Sequence, residues 1–172
     1  MIARIPHSRR PATLEEISEA NPGWKVELEA DGSITMSPSG TVSGPRDVAL
    51  LALLLDWRKH SGGVLFGPAT GFKMPDGAVL SPDGAWISDE RWAAIPAAKR
   101  KGYVRIVPDV CVEVASETDR VSELVTKLQR YRAYGAAYVL LIDPCNRSTW
   151  SDGVLPPGFS TDFTSVFDAG TI

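Results

Sequence analysis

Two carboxylates stand inside apolar, strand-forming sequence: Asp83 in "SPDGAWIS" and Glu113 in "VCVEVAS". Burying a carboxylate without a partner is expensive, so each calls for a cation. Side chains on neighbouring strands lie roughly 5 Å apart, close enough for two carboxylates to share one divalent ion. An ion held there would polarise a phosphoryl or carbonyl oxygen and make a nucleophile of bound water near neutral pH. A structural alternative stands beside this one: each acid ends a strand or closes a salt bridge. A carboxylate pair also serves glycoside hydrolysis, but the aromatic residues are not gathered near these acids as sugar platforms.

Asp109 competes with Asp83 as the partner of Glu113, because it lies four residues earlier on the same strand face. At about 3.3 Å per residue the two are roughly 13 Å apart, too far for one metal, so Asp109 reads as the residue that opens the strand. Asp76, in the turn "PDG", is ordinary turn chemistry. The position two residues after Glu113 is Ala115, which is no base. Lys127 offers an alternative. If a helix starting near Asp119 runs back antiparallel to a strand ending at Ser116, Glu113 lies about 10 Å back along the strand. Lys127 then lies about 12 Å back along the helix, and the two come level. Lys127 borders the apolar stripe, small Ala115 leaves room beneath it, and Tyr131 sits one turn above on the same side. The alternative for Lys127 is a solvated lysine flanking the stripe.

The elements that would position these groups follow from periodicity. "ATLEEISEAN" (12–21) reads as a helix with Thr13 as N-cap and Glu16 closing a capping box. "WKVELEADGSITMSP" alternates about the turn "ADGS" and reads as a hairpin. "GPRDVALLALLLDWRKH" is a helix, apolar nearly all round its middle, which predicts deep burial. "GVLFG", "TGFKM" and "VLSPDGAWIS" are strand candidates, and the last would carry Asp83 inside it. "ERWAAIPAAKRKG" is a helical or irregular excursion before the strand of Glu113. "DRVSELVTKLQRYRAYG" is an amphipathic helix with Val121, Leu124, Val125, Leu128 and Tyr131 on one stripe, ended by Gly135. "AAYVLLID" is a continuous apolar strand, as in a sheet covered on both faces. The strand–helix–strand unit makes its two strands parallel. The whole predicts an α/β sandwich around a mixed sheet.

The length of 172 residues fits one domain. The longest apolar run, "VALLALLL", falls far short of the roughly 20 residues that span a bilayer. The N-terminal "MIARIPHSRRPATLEE" has no apolar core of a signal peptide. Cys111 and Cys145 stand apart, without metal-site spacing. These features predict a cytoplasmic protein with reduced thiols and no membrane partner. A net charge of −3 excludes a strongly basic chain, yet Arg91, Lys99, Arg100, Lys101 and Arg105 occur with no acid between them. That run either attracts phosphate or is a solvated loop.

"SPDGAWIS", the basic insertion, "PDVCVEVASETDR", "KLQRY" and "YVLLIDP" occur in that order. The series resembles the Uma-type family, a domain of unknown function among the endonucleases of the PD-(D/E)XK, or restriction-endonuclease-like, superfamily. "WKVELEADGSITMSP" and "GFKMPDG" fit its N-terminal half, so the resemblance spans about residues 24–144. It implies an αβββαβ core with helices on both faces of a mixed sheet. An N-terminal helix and hairpin (12–37) would precede the core (44–144), and an irregular tail (145–172) would follow. Asp83 would be the Asp of the first motif and Glu113 the acid of (D/E)XK. The lysine missing at Ala115 would be supplied from the next helix by Lys127. The Lys127-x₃-Tyr131 spacing resembles the Gln-x₃-Tyr helix motif of related nucleases.

The activity implied is hydrolysis of DNA phosphodiester bonds. Mg²⁺, or Mn²⁺ in its place, would be held by Asp83, Glu113 and the backbone carbonyl of Val114. Lys127 would orient or help deprotonate the attacking water and stabilise charge on phosphate. Ser116 and Tyr131 would meet phosphate as neutral donors. Arg91, Lys99, Arg100, Lys101 and Arg105 would track the nucleic-acid backbone. Three departures accompany the resemblance. Family members often carry a His near the start of the long helix, where this chain has "SPSGTVSGPRD". Gly84 replaces a branched apolar residue, which would loosen its strand by up to about 1 kcal/mol. The extra strands after Pro144 look shortened, at the edge where a homodimer would be built. The altered first motif and the shortened C-terminus favour a second reading: a catalytically inactive nuclease fold serving as a nucleic-acid-binding or protein-interaction module.

Overall fold

A computed structural model describes residues 12–38 and 43–170. Residues 1–11, expected to lack the apolar core of a signal peptide, and part of the segment without a histidine (39–42) lie outside the described residues. Helix α1 (Leu14–Ala20) begins at the expected capping box: Glu16 donates its N–H to Thr13 Oγ1 at 3.2 Å, and Thr13 donates its own to Glu16 Oε2 at 2.9 Å. Strands β1 (Trp24–Leu28) and β2 (Ile34–Pro38) form the expected hairpin, with Val26 paired to Met36. Helix α2 (Ser43–Ser61) follows.

The next segment builds two sheets. Strands β3 (Val64–Phe66), β4 (Phe72–Lys73), β5 (Val79–Leu80) and β6 (Gly84–Ile87) are all short. One sheet has the order β2-β1-β5-β4. The other has the order β3-β6-β7-β8-β9, where β7 is Val110–Val114, β8 is Tyr138–Asp143 and β9 is Ser148–Gly153. The sequence expectation of one strand through "VLSPDGAWIS" is therefore corrected. Pro82 cannot donate to a ladder, so the chain breaks after β5 and re-enters pairing in the second sheet. Asp83 sits in that crossing, one residue before β6, rather than within a strand.

Strands β7 and β8 pair in parallel, as the crossover predicts, while β6 and β9 run antiparallel to their neighbours. Helix α4 (Val121–Ala133), the second long helix, links β7 to β8; the short helix α3 (Asp89–Ala93) precedes β7. Strand β7 ends at Val114 rather than Ser116, and α4 begins at Val121 rather than near Asp119.

The two faces of the larger sheet read directly from period two. Val110 and Val112 pack with Leu50, Leu54 and Trp57 of α2, whereas Cys111 and Ala115 pack with Leu128 and Tyr131 of α4. Glu113 shares the α4 face with its neighbours at i−2 and i+2. Helix α2 corrects the expectation of all-round burial. Leu50 and Leu54 are fully buried, but Val48 is 68% exposed and Leu55 50% exposed. It covers one face of the sheet, and its outer side faces solvent. The tail, expected to be irregular apart from one short strand, holds β9 and also a last helix, α5 (Thr164–Asp168). Trp57 Nε1 donates to the Pro157 carbonyl at 3.0 Å, and Phe159, Phe163 and Val166 join the α2 core. Tail residues thus finish that layer.

Candidate active site

The register Gly84↔Val112 and Ala85↔Cys111, carried one step further, sets Asp83 across from Glu113. Asp83 is fixed there by backbone: Val114 donates its N–H to Asp83 Oδ2 at 2.8 Å. Glu113 is 2% exposed, a carboxylate at the bottom of the cleft between the two sheets.

Cations meet both acids. Lys25 Nζ, from β1, lies 2.9 Å from Asp83 Oδ1 and 3.7 Å from Glu113 Oε2. Lys127 Nζ, from α4, lies 2.9 Å from Glu113 Oε1, 2.8 Å from Glu27 Oε1 and 3.1 Å from the Ser81 carbonyl. The result is a chain of alternating charge: Asp83, Lys25, Glu113, Lys127, Glu27. Glu27 Oε1 also accepts the Ser81 N–H at 2.5 Å, which ties β1 to the crossing that carries Asp83. Lys127 therefore comes level with Glu113 as its spacing predicts. Three oxygens already surround its three donors, however, and it does not line the cavity that opens over the acids.

That cavity, of about 580 Å³, is bordered by Lys25, Glu27, Asp47, Asp83, Glu113 and Ser116, among others. Burial pushes the Glu113 carboxyl up, to about 7, against the pull of Lys127 and Lys25. Burial of Lys25 would lower it, but Glu113 and Asp83 outweigh that and hold its ammonium well above the usual range. These two directions oppose each other, since one favours a neutral acid and the other a charged pair. The ammonium is the firmer of the two, because two carboxylates converge on it, and Glu113 is the proton-labile member. For Asp83, burial is outweighed by Lys25 and the Val114 N–H, so its carboxyl stays below the ordinary value. Asp47, half-buried on α2, is pushed up to about 6 by burial and by the charge of Asp83.

The donor set can be tested against a divalent ion. Asp83 and Glu113 converge on one cationic point, where Lys25 Nζ now stands in. Glu113 Oε1 is buried and has no hydrogen-bond partner apart from its ion pair. No group of three or more His, Cys, Asp or Glu among the described residues is placed to hold a metal. Two carboxylates, a backbone carbonyl and water are nonetheless a normal set for Mg²⁺, which keeps several waters. The residues fit such an ion on the condition that Lys25 makes way.

Other expected residues separate into those that reach the cavity and those that do not. Val114 and Ser116 line it; Ser116 Oγ lies 3.2 Å from Thr118 Oγ1, and its N–H is held by Asp119 at 2.8 Å. Tyr131 is corrected. It has no exposure and its hydroxyl is buried in the α4 core without a hydrogen-bond partner, so it cannot meet phosphate. Asp109 is structural as read: it accepts the Ser88 N–H at 2.9 Å and pairs with Arg91. None of Arg91, Lys99, Arg100, Lys101 and Arg105 borders the cavity. Arg100 lies over the Trp92 ring and donates to the Ile95 carbonyl at 2.9 Å, while Lys99, Lys101 and Arg105 are exposed.

Three site residues escape the sequence reading: Lys25, Glu27 and Asp47. The hairpin carried a signal, because Lys25 and Glu27 alternate with buried Val26 and so share one face. Period two alone reads such a face as solvent.

Comparison with known proteins places the chain in a family and agrees with its fold. The model of the Uma2 family, described as "Putative restriction endonuclease", matches residues 11–150. No curated protein matches the chain. The crystal structure of "a putative nuclease belonging to DUF820" from Anabaena variabilis ATCC 29413 superposes with a TM-score of 0.62 at 18% identity. It covers 92% of this chain and 98% of that one, which is a likeness of fold.

Proposed function

The chain belongs to the Uma2 family, described as "Putative restriction endonuclease", and from that premise we propose that it is a divalent-metal-dependent endonuclease that hydrolyses phosphodiester bonds of DNA. One observation carries the reading. Two carboxylates from neighbouring chain segments, Asp83 and Glu113, meet at a single cationic point on the floor of an open cavity. Asp83, Glu113 and the backbone carbonyl of Val114 would hold Mg²⁺ or Mn²⁺. Such an ion, when bound, supplies Lewis-acid polarisation of a phosphate oxygen and lowers the pKa of water.

This chain's own residues supply the rest. The Val114 N–H aims the Asp83 carboxylate. Lys127 acts on Glu113, which it holds against Ser81 and Glu27, rather than on phosphate. Ser116, at the cavity wall, offers a neutral donor to a phosphate oxygen. Asp47 faces the same space with a carboxyl that takes up protons near pH 6 and is a candidate acceptor for a proton from water. Lys99, Lys101 and Arg105 remain free to track the DNA backbone outside the cavity, a role without sequence information.

A second reading, a non-cleaving nucleic-acid-binding or protein-interaction module, is favoured by one observation: lysines already neutralise both carboxylates. The two readings part in one assay. Supercoiled plasmid and single-stranded DNA are incubated with the protein and Mg²⁺ or Mn²⁺, with and without chelator, beside Asp83→Ala and Glu113→Ala. Metal-dependent nicking that both substitutions abolish is expected. DNA binding without cleavage, unchanged in both variants, would favour the module.

A further inference from the structure

Of the two lysines in the cluster, one is anchored and one is placed to leave. Lys127 Nζ has three oxygens within 3.1 Å and does not border the cavity. Lys25 Nζ has one close oxygen, at 2.9 Å, and a second at 3.7 Å, and its side chain borders the cavity at 19% exposure. It sits at the convergence of Asp83 Oδ1 and Glu113 Oε2, the two oxygens that a divalent ion would need.

We propose that Lys25 is an internal counter-ion that occupies the cation position and must be displaced before a divalent metal binds, so that it sets the affinity of the site. The inference rests on the nuclease reading. Without a cation, two carboxylates this close, one of them 2% exposed, would be left uncompensated, and removing one partner from such a cluster is strongly unfavourable. A lysine answers that need reversibly. Its ammonium is a point charge on a flexible four-carbon stem, with no fork geometry to lock it. An open volume of about 580 Å³ lies beside it to receive the side chain. Lys127 and the Val114 N–H stay in place and keep the two carboxylates aimed while Lys25 moves away.

The test is calorimetric titration of Mn²⁺ into chelator-stripped wild type, Lys25→Met and Lys25→Gln, followed by thermal unfolding of each with and without Mn²⁺. Asp83→Asn serves as the control for the site. The expected result is that both uncharged variants bind Mn²⁺ at least about tenfold more tightly than wild type, as removal of a positive charge beside the metal requires. Without metal they unfold at lower temperature than wild type, and Mn²⁺ raises their midpoint by more than it raises that of wild type. Lys25→Gln keeps a polar donor at this position and guards against a folding defect in Lys25→Met. Equal or weaker Mn²⁺ binding by the variants overturns the proposal while leaving the metal-dependent reading intact. Absence of Mn²⁺ binding in wild type and variants alike overturns both.

Discussion

At the scale of single residues the site is a balance between burial and charge, and Asp47 shows how that balance depends on pH. In the folded chain it keeps its proton up to about pH 6, against an ordinary value of 3.8. The folded state therefore binds this proton more tightly than the unfolded state does. The stability that follows is fully present below 3.8 and is lost as pH rises to about 6. Glu113 has the same sign, with loss running from 4.5 up to about 7. Asparagine at position 47 removes the first contribution while keeping shape and polarity. Asp47→Asn should therefore match wild type near pH 3.5 and exceed its denaturation midpoint near pH 7.5. Urea unfolding of both proteins across this range, with chelator present, measures the difference. A variant midpoint below wild type at the higher pH would contradict the assignment.

Elements decide where such residues end up, and here reading from sequence succeeds and fails for definable reasons. The capping box, the hairpin, the parallel β7–α4–β8 unit and the meeting of Glu113 with Lys127 were all legible, because each depends on periodicity or rise per residue. What was not legible is which elements cover which. Lys25 and Glu27 alternate with Val26 in a pattern that suits a solvent face equally well, and only the packing of the hairpin beside α4 and β7 turns that face inward. The outer side of α2 reads as buried for the converse reason, since none of the described residues covers Val48 and Leu55. Gly84 is the sharpest case. Read along the strand it is a weakness, but a Cβ there would lie 2.7 Å from Leu54 Cδ1 and 3.1 Å from Leu50 Cδ2. The glycine lets α2 approach the first residue of β6, directly behind Asp83. Gly84→Val should accordingly destabilise the fold by about 1–3 kcal/mol through overpacking, despite the better strand propensity of valine. Guanidinium unfolding measures this, and a neutral or stabilising outcome would restore the view of Gly84 as a defect.

Over the whole molecule, the charged cluster is the seam between the two sheets. Strand β8 is buried along its length and paired on both sides. The hairpin joins the body differently. Its β1 pairs with β5 at Leu28↔Val79, and Val26 packs with Leu14 and Ile17 of α1 and with Val79. Further ties are polar: Lys25 to Asp83, Glu27 to Lys127 and to the Ser81 N–H, and Glu29 to Arg130 at 2.7 Å. A unit held by one small apolar cluster and several ion pairs should open before the sheet core does. Native-state hydrogen exchange is expected to show the amides of Val26 and Leu28 at least about tenfold less protected than those of Val139 and Leu141. Acid adds a second signature. The Asp83 carboxyl is held below 3.8, so its contribution is present above that pH and is lost as pH falls through its depressed value. As pH falls below 3.8 the gap between hairpin and β8 protection should therefore widen, after correction for intrinsic exchange rates. Exchange of hairpin and β8 amides in one cooperative step both above and below pH 3.8 would show that apolar packing, and not the ion cluster, governs the seam. A gap that widens with acid would place the opening at the cleft that holds Asp83 and Glu113.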